Sequence, residues 1–327
     1  MLRRYYASRG FVAVTIDYRL YDGPLFPLPS AATMTDVVIK AVGDMKAAVR
    51  HLRQDAATTN TYRIDPNYIF VGGVSAGAIA ADHTAYLDSM DNVASSELTA
   101  IQANGGWEGN SSSTAGVYSS SVQGVLNFSG ALRDANYINS GEAPLFSAHD
   151  DGDNVVPYDG DDATIGGFPI IYVEGSQFMH RKADSIQVGV PNFLITIPNS
   201  GGHVSYFTSA AAQWRDTVTL ASSQFLHDEV LCPIVVSITQ PEAVQRVAAR
   251  FFPTPAVSNL VLDFEEVPSR YTVRIIDAVG RSVHEQAKVQ EQRLGVSRGN
   301  WQAGLYQVQV LFEDGHYQPV QRGVIFR

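Results

Sequence analysis

At 327 residues, 45% of them hydrophobic and 17% charged, the chain describes a globular protein of one large domain or two unequal ones. A net charge of −10 argues against nucleic acid or an anionic membrane as a default partner. The single cysteine, Cys232, excludes an internal disulfide and any cysteine-rich metal site, and no stretch approaches the length of a transmembrane helix.

The N-terminus, MLRRYYASRGFVAVTIDYRL, carries basic residues ahead of apolar ones, but the apolar run at 11–16 is too short for a signal peptide. It reads instead as a helix end, a stop at Gly10 and a parallel-type strand over 11–17. The loop 18–34, with Pro24, Pro27 and Pro29, is read as non-helical. From Thr35, TDVVIKAVGDMKAAVRHLRQDA spaces its apolar residues for a helix capped by Thr35 or Asp36. A strand, YIFVG, and a helix, AGAIAADHTAYLDSM, follow. Then come a polar stretch over 103–120 and short apolar runs at 122–130, 143–150, 168–174 and 192–198. A closing helix is expected over 213–231. Strands alternating with helices predict a mostly parallel sheet with helices on both faces. After Pro233 the texture becomes period-two, as in NLVLDF, YTVRIID, LYQVQVLF and RGVIFR, with turns at DAVG and EDG. The expected division is 1–232, a linker 233–258 containing FFPTP, and a small all-β sandwich over 259–327.

GVSAG at 73–77 fits G-x-S-x-G, where a sharp strand-to-helix turn lifts a serine oxygen out at the top of a sheet. Chance supplies roughly 0.2 such matches in a chain of this composition, so the pattern alone is weak. Its place between a strand and a helix is what makes Ser75 the candidate nucleophile. A serine hydroxyl needs a base, and the base an orienting acid. Of eight histidines, His203 follows the strand 192–198 in a Gly-rich loop, whereas His51, His83 and His227 sit in helices and His284 and His316 in the C-terminal module. His149 precedes the remaining acids in order, and His180 is the rival. For the acid, AHDDGDNVVPYDGDD offers six aspartates. Such a run also suits a solvated loop or a calcium site, although EF-hand spacing is not met. Asp153, ahead of Val-Val-Pro, is the favoured candidate.

These pieces resemble an α/β-hydrolase bacterial carboxylesterase over roughly residues 1–232. GVSAG resembles its G-x-S-A-G elbow, SAHDDGDNVVPY its H-G-x-x-D-x-x-V-P-Y segment, SGGHVSY its histidine loop and FVAVTIDYRL its strand ending in D-Y-R-L. The resemblance implies Ser75, Asp153 and His203 as a triad and the Ala76 N–H as an oxyanion donor, with no metal or organic cofactor. Asp150 stands where the acid loop usually has glycine, which leaves Asp151 open beside Asp153. The family's second oxyanion donor comes from a loop upstream of the D-Y-R-L strand. Its third strand lies between that strand and the one before Ser75. Neither is recognisable here, so the sequence reads as an N-terminally truncated fragment. FFPTPAVSNLVLDF, YTVRIIDAVGRSV and WQAGLYQVQVLFEDGHYQPVQRGVIFR resemble a type IX secretion sorting domain of the Bacteroidetes, with Thr254 in place of the usual Asn. This implies export across the outer membrane by that machinery, and hence a secreted or cell-surface protein.

The function expected is a secreted serine carboxylic-ester hydrolase working through an acyl-enzyme on small or medium acyl esters, polysaccharide-linked esters among them. Alternatives are a serine peptidase of the same fold and a non-catalytic binding protein. The Gly/Ser-rich stretch 103–120 is expected to cover the site, with Trp107, Tyr118 and Tyr206 as candidate substrate-binding residues.

Overall fold

The structure is a computed structural model that describes residues 2–24, 26–111, 114–186, 189–208, 212–231, 249–252, 259–264, 269–277, 281–313 and 320–326. Its contacts divide the chain into two units, Met1–Pro233 and Ile234–Arg327.

In the first unit a parallel sheet of four strands runs in the order β1 (Val71–Val74), β2 (Val125–Phe128), β4 (Leu145–Asp150), β7 (Asn192–Ile197). β2 and β4 are buried along their whole length, as expected of strands covered on both faces. Side chains alternate between those faces. Val125 and Leu145 enter a core shared with helices α2 (Ala31–Ala57), α3 (Ala76–Tyr86) and α5 (Ser176–Ser185). Phe128 and Phe146 meet edge to face, and Phe146 meets Phe225 of α6 (Ala212–Leu226). The remaining helices are α1 (Leu2–Ala7) and α4 (Ser95–Ala103).

Three expectations change. α2 begins at Ala31, not Thr35, because Ser30, directly after the last proline, accepts a hydrogen bond from the Thr33 N–H and caps it. Its buried stripe of Ile39, Val42, Met45, Lys46 and Val49 has helical spacing. Residues 11–17 form no strand. An apolar run becomes a strand only when a neighbour takes up its backbone groups. Here a groove of about 730 Å³ separates Phe11–Thr15 from the 68–73 segment, with Val12 and Val14 each 52% exposed. Among the described residues β1 therefore pairs with β2 alone. Finally, Phe168–Gly175 (β6) leaves the parallel sheet. It pairs antiparallel with β5 (Gly160–Ile165) and with β3 (Ala131–Leu132). Gly166 and Gly167, both at positive φ, supply the two-residue turn that a hairpin of this hand needs.

The second unit holds two antiparallel sheets. One runs β11 (Ser282–Val289), β10 (Tyr271–Asp277), β13 (Gly304–Phe312), β14 (Val320–Phe326). The other runs β12 (Arg293–Ser297), β9 (Asn259–Phe264), β8 (Ala249–Phe252). Alternate residues Leu260, Leu262 and Phe264, Tyr271, Val273 and Ile275, and Val308 and Val310 form one shared core, the arrangement of a β-sandwich. Strand β8 lies within the span read as a linker, where four residues pair with β9. The rest of that span, Cys232, and all but the first residue of the DAVG and EDG turns lie outside the described residues. No described helix is long and apolar enough to cross a membrane.

Candidate active site

Ser75 stands between β1 and α3 at φ 56°, ψ −122°, a backbone conformation that costs a non-glycine residue free energy. Two sets of hydrogen bonds hold it there. Its N–H donates to the Phe128 carbonyl (2.8 Å), and its own carbonyl accepts from the N–H groups of Ala78 and Ile79 at the start of α3. The flanking glycines are not equivalent. A Cβ on Gly73 would lie 2.1 Å from the Gly77 carbonyl carbon, so no side chain fits, whereas a Cβ on Gly77 would meet nothing closer than the Tyr18 hydroxyl at 3.7 Å. The turn is tight on its strand side only.

The Ser75 hydroxyl lies 2.7 Å from His203 Nε2, and His203 Nδ1 lies 2.7 Å from Asp153 Oδ2. A carboxylate only accepts, so the His203 proton sits on Nδ1 and Nε2 is free to accept from Ser75. Asp153 is buried, and its other oxygen accepts from the N–H groups of Val155 (2.9 Å) and Val156 (3.1 Å). Burial pushes this carboxyl up. Hydrogen bonds from His149, His203 and the Val155 N–H, with the His203 charge, more than offset that and hold it down at about 2.

The crowded aspartates divide the work. Asp150 accepts from the Ser205 N–H (2.9 Å) and, by a short bond, from its hydroxyl. Asp151 accepts from the N–H groups of Asn199 (2.8 Å) and Ser200 (2.9 Å). Both clamp the two ends of the loop that carries His203, and only Asp153 touches the ring. Among the described residues no group of three or more His, Cys, Asp or Glu side chains could hold a metal ion. The rival His180 hydrogen-bonds Asn192 from α5. Ala76, first residue of α3, presents an N–H that the helix's own ladder leaves unused.

A cavity of about 310 Å³ opens at Ser75 and Ala76. It follows one face of α3 through Ile79 to His83, eight residues and so about 12 Å from the serine at 1.5 Å per residue. Met34, Val38 and Ile39 of α2 form one wall, and Val155, with Ala163, Ile165 and Ile171 of the β5–β6 hairpin, the other. The far end is polar but satisfied. Arg133 bridges Glu97 (3.1 Å), the Tyr137 hydroxyl donates to Glu97 (3.0 Å), and the Arg133 N–H donates to His83 Nε2 (3.1 Å). His83 Nδ1–H in turn donates to the Ile79 carbonyl, and burial pushes this imidazole down, towards its neutral form.

None of Trp107, Tyr118 and Tyr206 lines this cavity, nor does the 103–120 stretch. Trp107 packs against the core below α2, where its carbonyl accepts from Lys46, and the Tyr206 hydroxyl is buried, donating to the Ala148 carbonyl. The hairpin that does line it was signalled by Gly-Gly between two apolar runs in ATIGGFPI, a hairpin signature.

Residues 2–131 match the BD-FAE family model, and residues 250–325 match the Secretion system C-terminal sorting domain. No curated protein matches the chain. Solved structures similar to it include Thermogutta terrifontis esterase 2 in its apo form, at 18% identity over 58% of this chain and 65% of that one, with a TM-score of 0.42. The same esterase phosphoramylated by tabun gives 19% over 68% and 74%, with a TM-score of 0.46. Phosphorylated by paraoxon it gives 20% over 69% and 73%, with 0.47. This chain thus spans 65% of the length of the first of those esterase chains. A sharp strand-to-helix turn at Ser75 on a parallel sheet flanked by helices, and a β-sandwich in the second unit, accord with these matches: the chain joins an esterase-like α/β-hydrolase domain, similar to the BD-FAE model over residues 2–131, to a type IX secretion sorting domain.

Proposed function

We propose that the chain is a secreted serine carboxylic-ester hydrolase that works through an acyl-enzyme on small or medium acyl esters. The observation that carries this reading is the unbroken relay Ser75–His203–Asp153, with 2.7 Å at each step, at the mouth of an apolar cavity. His203 takes the Ser75 proton as Oγ attacks the ester carbonyl, and returns it to the leaving alcohol. Water activated by the same ring then releases the acid. Asp153, ionised at any working pH, holds the His203 tautomer and stabilises the imidazolium. The Ala76 N–H serves the oxyanion. The hydrocarbon part of the substrate lies along α3, between α2 and the hairpin. The sorting domain directs export by the type IX machinery and so brings the enzyme to esters outside the cell, those on polysaccharides included.

The test is hydrolysis of p-nitrophenyl butyrate by the 327-residue chain beside Ser75→Ala, with the matching anilide as the amide control. Ester turnover that disappears in the variant supports the reading. Turnover that survives in the variant, or an anilide cleaved as readily as the ester, overturns it.

A further inference from the structure

One buried histidine beside the relay has no part in that mechanism. His149 is the last residue but one of strand β4 and is fully buried, an expensive place for a titratable ring unless its nitrogens are matched. Both are. Nε2 lies 3.0 Å from the Val156 carbonyl, which can only accept, so this nitrogen carries the proton. Nδ1 is then an acceptor, filled at 2.7 Å by the Ser176 hydroxyl, whose oxygen accepts from Asn127 Nδ2 (3.2 Å). The Asn127 side-chain carbonyl in turn takes the Gly130 N–H (2.7 Å). The tautomer is therefore set from two sides. The same Nε2–H faces Asp153 Oδ2 at 3.4 Å, and Oδ2 is the oxygen that holds His203.

We propose that His149 is a positioning residue for the acid–base pair: its Nε2–H shares Asp153 Oδ2 with His203 and limits how strongly that oxygen binds the His203 ring. Oδ1 is already occupied by the N–H groups of Val155 and Val156, so the carboxylate stays in place whether or not His149 is present. What changes is the charge left on Oδ2. In a buried site one donor more or less on a carboxylate weighs heavily. With the donor, less negative charge faces His203, and the ring stays neutral, able to act as a base, to lower pH. Without it, the imidazolium form is favoured.

Other titratable groups facing the pair are Tyr158, whose ring meets His149 edge-on at 5.6 Å, and Asp150 and Asp151, at the end of β4, which hold the His203 loop. Tyr206 also packs nearby, and all of these stay the same in the variants below. α5 contributes only the non-titrating Ser176 to this contact.

The decisive experiment is an NMR titration of the His203 ring in the wild-type chain, His149→Leu and His149→Gln. The acid limb of kcat/KM for p-nitrophenyl butyrate is followed in parallel. Leu removes the donor, and the His203 midpoint and the acid limb should move up by about half a pH unit or more. Gln places an amide N–H near the former Nε2 and should return both to within about 0.2 units of wild type. A midpoint that stays put or falls in the Leu variant overturns the proposal, as does a Gln variant that behaves like Leu. If the Leu variant does not fold, His149→Asn keeps a partner for Ser176 yet ends short of Asp153, and carries the same expectation. The kinetic arm rests on the esterase reading, whereas the titration does not. A chain that hydrolyses no ester but shows the shift loses the function and keeps the role of His149.

Discussion

Asp153 and Asp151 lie two positions apart in one acidic run, yet they answer to different partners. The sequence left them as alternatives because the choice depends on which backbone N–H groups a folded loop turns towards each carboxylate. Asp153→Asn should lower kcat by about 10⁴-fold, because an amide in that place favours the wrong His203 tautomer. Asp151→Asn should cost activity far less and show mainly as a looser 199–205 loop in amide hydrogen exchange. Comparable losses in the two variants would remove the distinction. A third aspartate is informative through stability. Asp82 on α3 is fully buried, and neither carboxyl oxygen has a hydrogen-bond partner among the described residues. Burial pushes its carboxyl well up. The folded state thus keeps a proton that the unfolded chain releases above about pH 4. Stability is fully present below that point and is lost as pH rises towards the folded value, by up to about 1.4 kcal/mol per pH unit. Denaturant melts from pH 4 to 7 should show that decline in wild type and a flatter profile in Asp82→Asn. Parallel profiles would mean that Asp82 has a partner.

At the scale of elements, strands with one local reason to form were legible, and walls built from distant segments were not. β2, β4 and β7 are short apolar runs that fall inside the stretches read as strands, whereas β1 begins three residues into YIFVG and runs two residues past it. The turn at GVSAG was equally plain, as a strand running straight into a helix. The wall of the cavity at Ser75 was not legible. Aromatics in a polar stretch look like binding residues, whereas this cavity is lined mostly by aliphatic side chains from the first turns of α2 and the far side of a hairpin. Aliphatic side chains carry no signal that separates a pocket wall from a core. The run 11–17 failed for the opposite reason, because its apolar pattern was right but among the described residues no strand pairs with it. The aliphatic lining has a kinetic consequence. Each methylene placed in the cavity adds about 0.8 kcal/mol of burial, or about fourfold in kcat/KM. Activity on p-nitrophenyl esters should climb from acetate towards the length that reaches the Glu97–Arg133 pair and fall beyond it. Ile79→Trp, which fills the cavity midway, should move the optimum to shorter chains. A flat chain-length profile would show that the cavity holds no acyl chain.

For the molecule as a whole, two units with separate cores predict separate thermal transitions. A chain ending at Pro233 should retain the upper or lower of the two and keep its specific activity, while deletion of the sandwich should leave the protein unexported. Period-two alternation replaces the mixed texture after Pro233, where the contacts also divide the chain. The strand inside the supposed linker was not legible, since four residues beside a proline look like punctuation. One more consequence follows from the backbone of Ser75. Its positive φ costs about 1–3 kcal/mol, borne by the whole first unit, and Ser75→Ala leaves that cost in place because alanine has the same Cβ. Glycine does not. Ser75→Gly, as dead as the alanine variant, should therefore melt several degrees higher than either. If so, shelf life and turnover are opposed at a single atom, and every active copy of this protein ages faster than the inert one that differs from it only by a hydroxymethyl group.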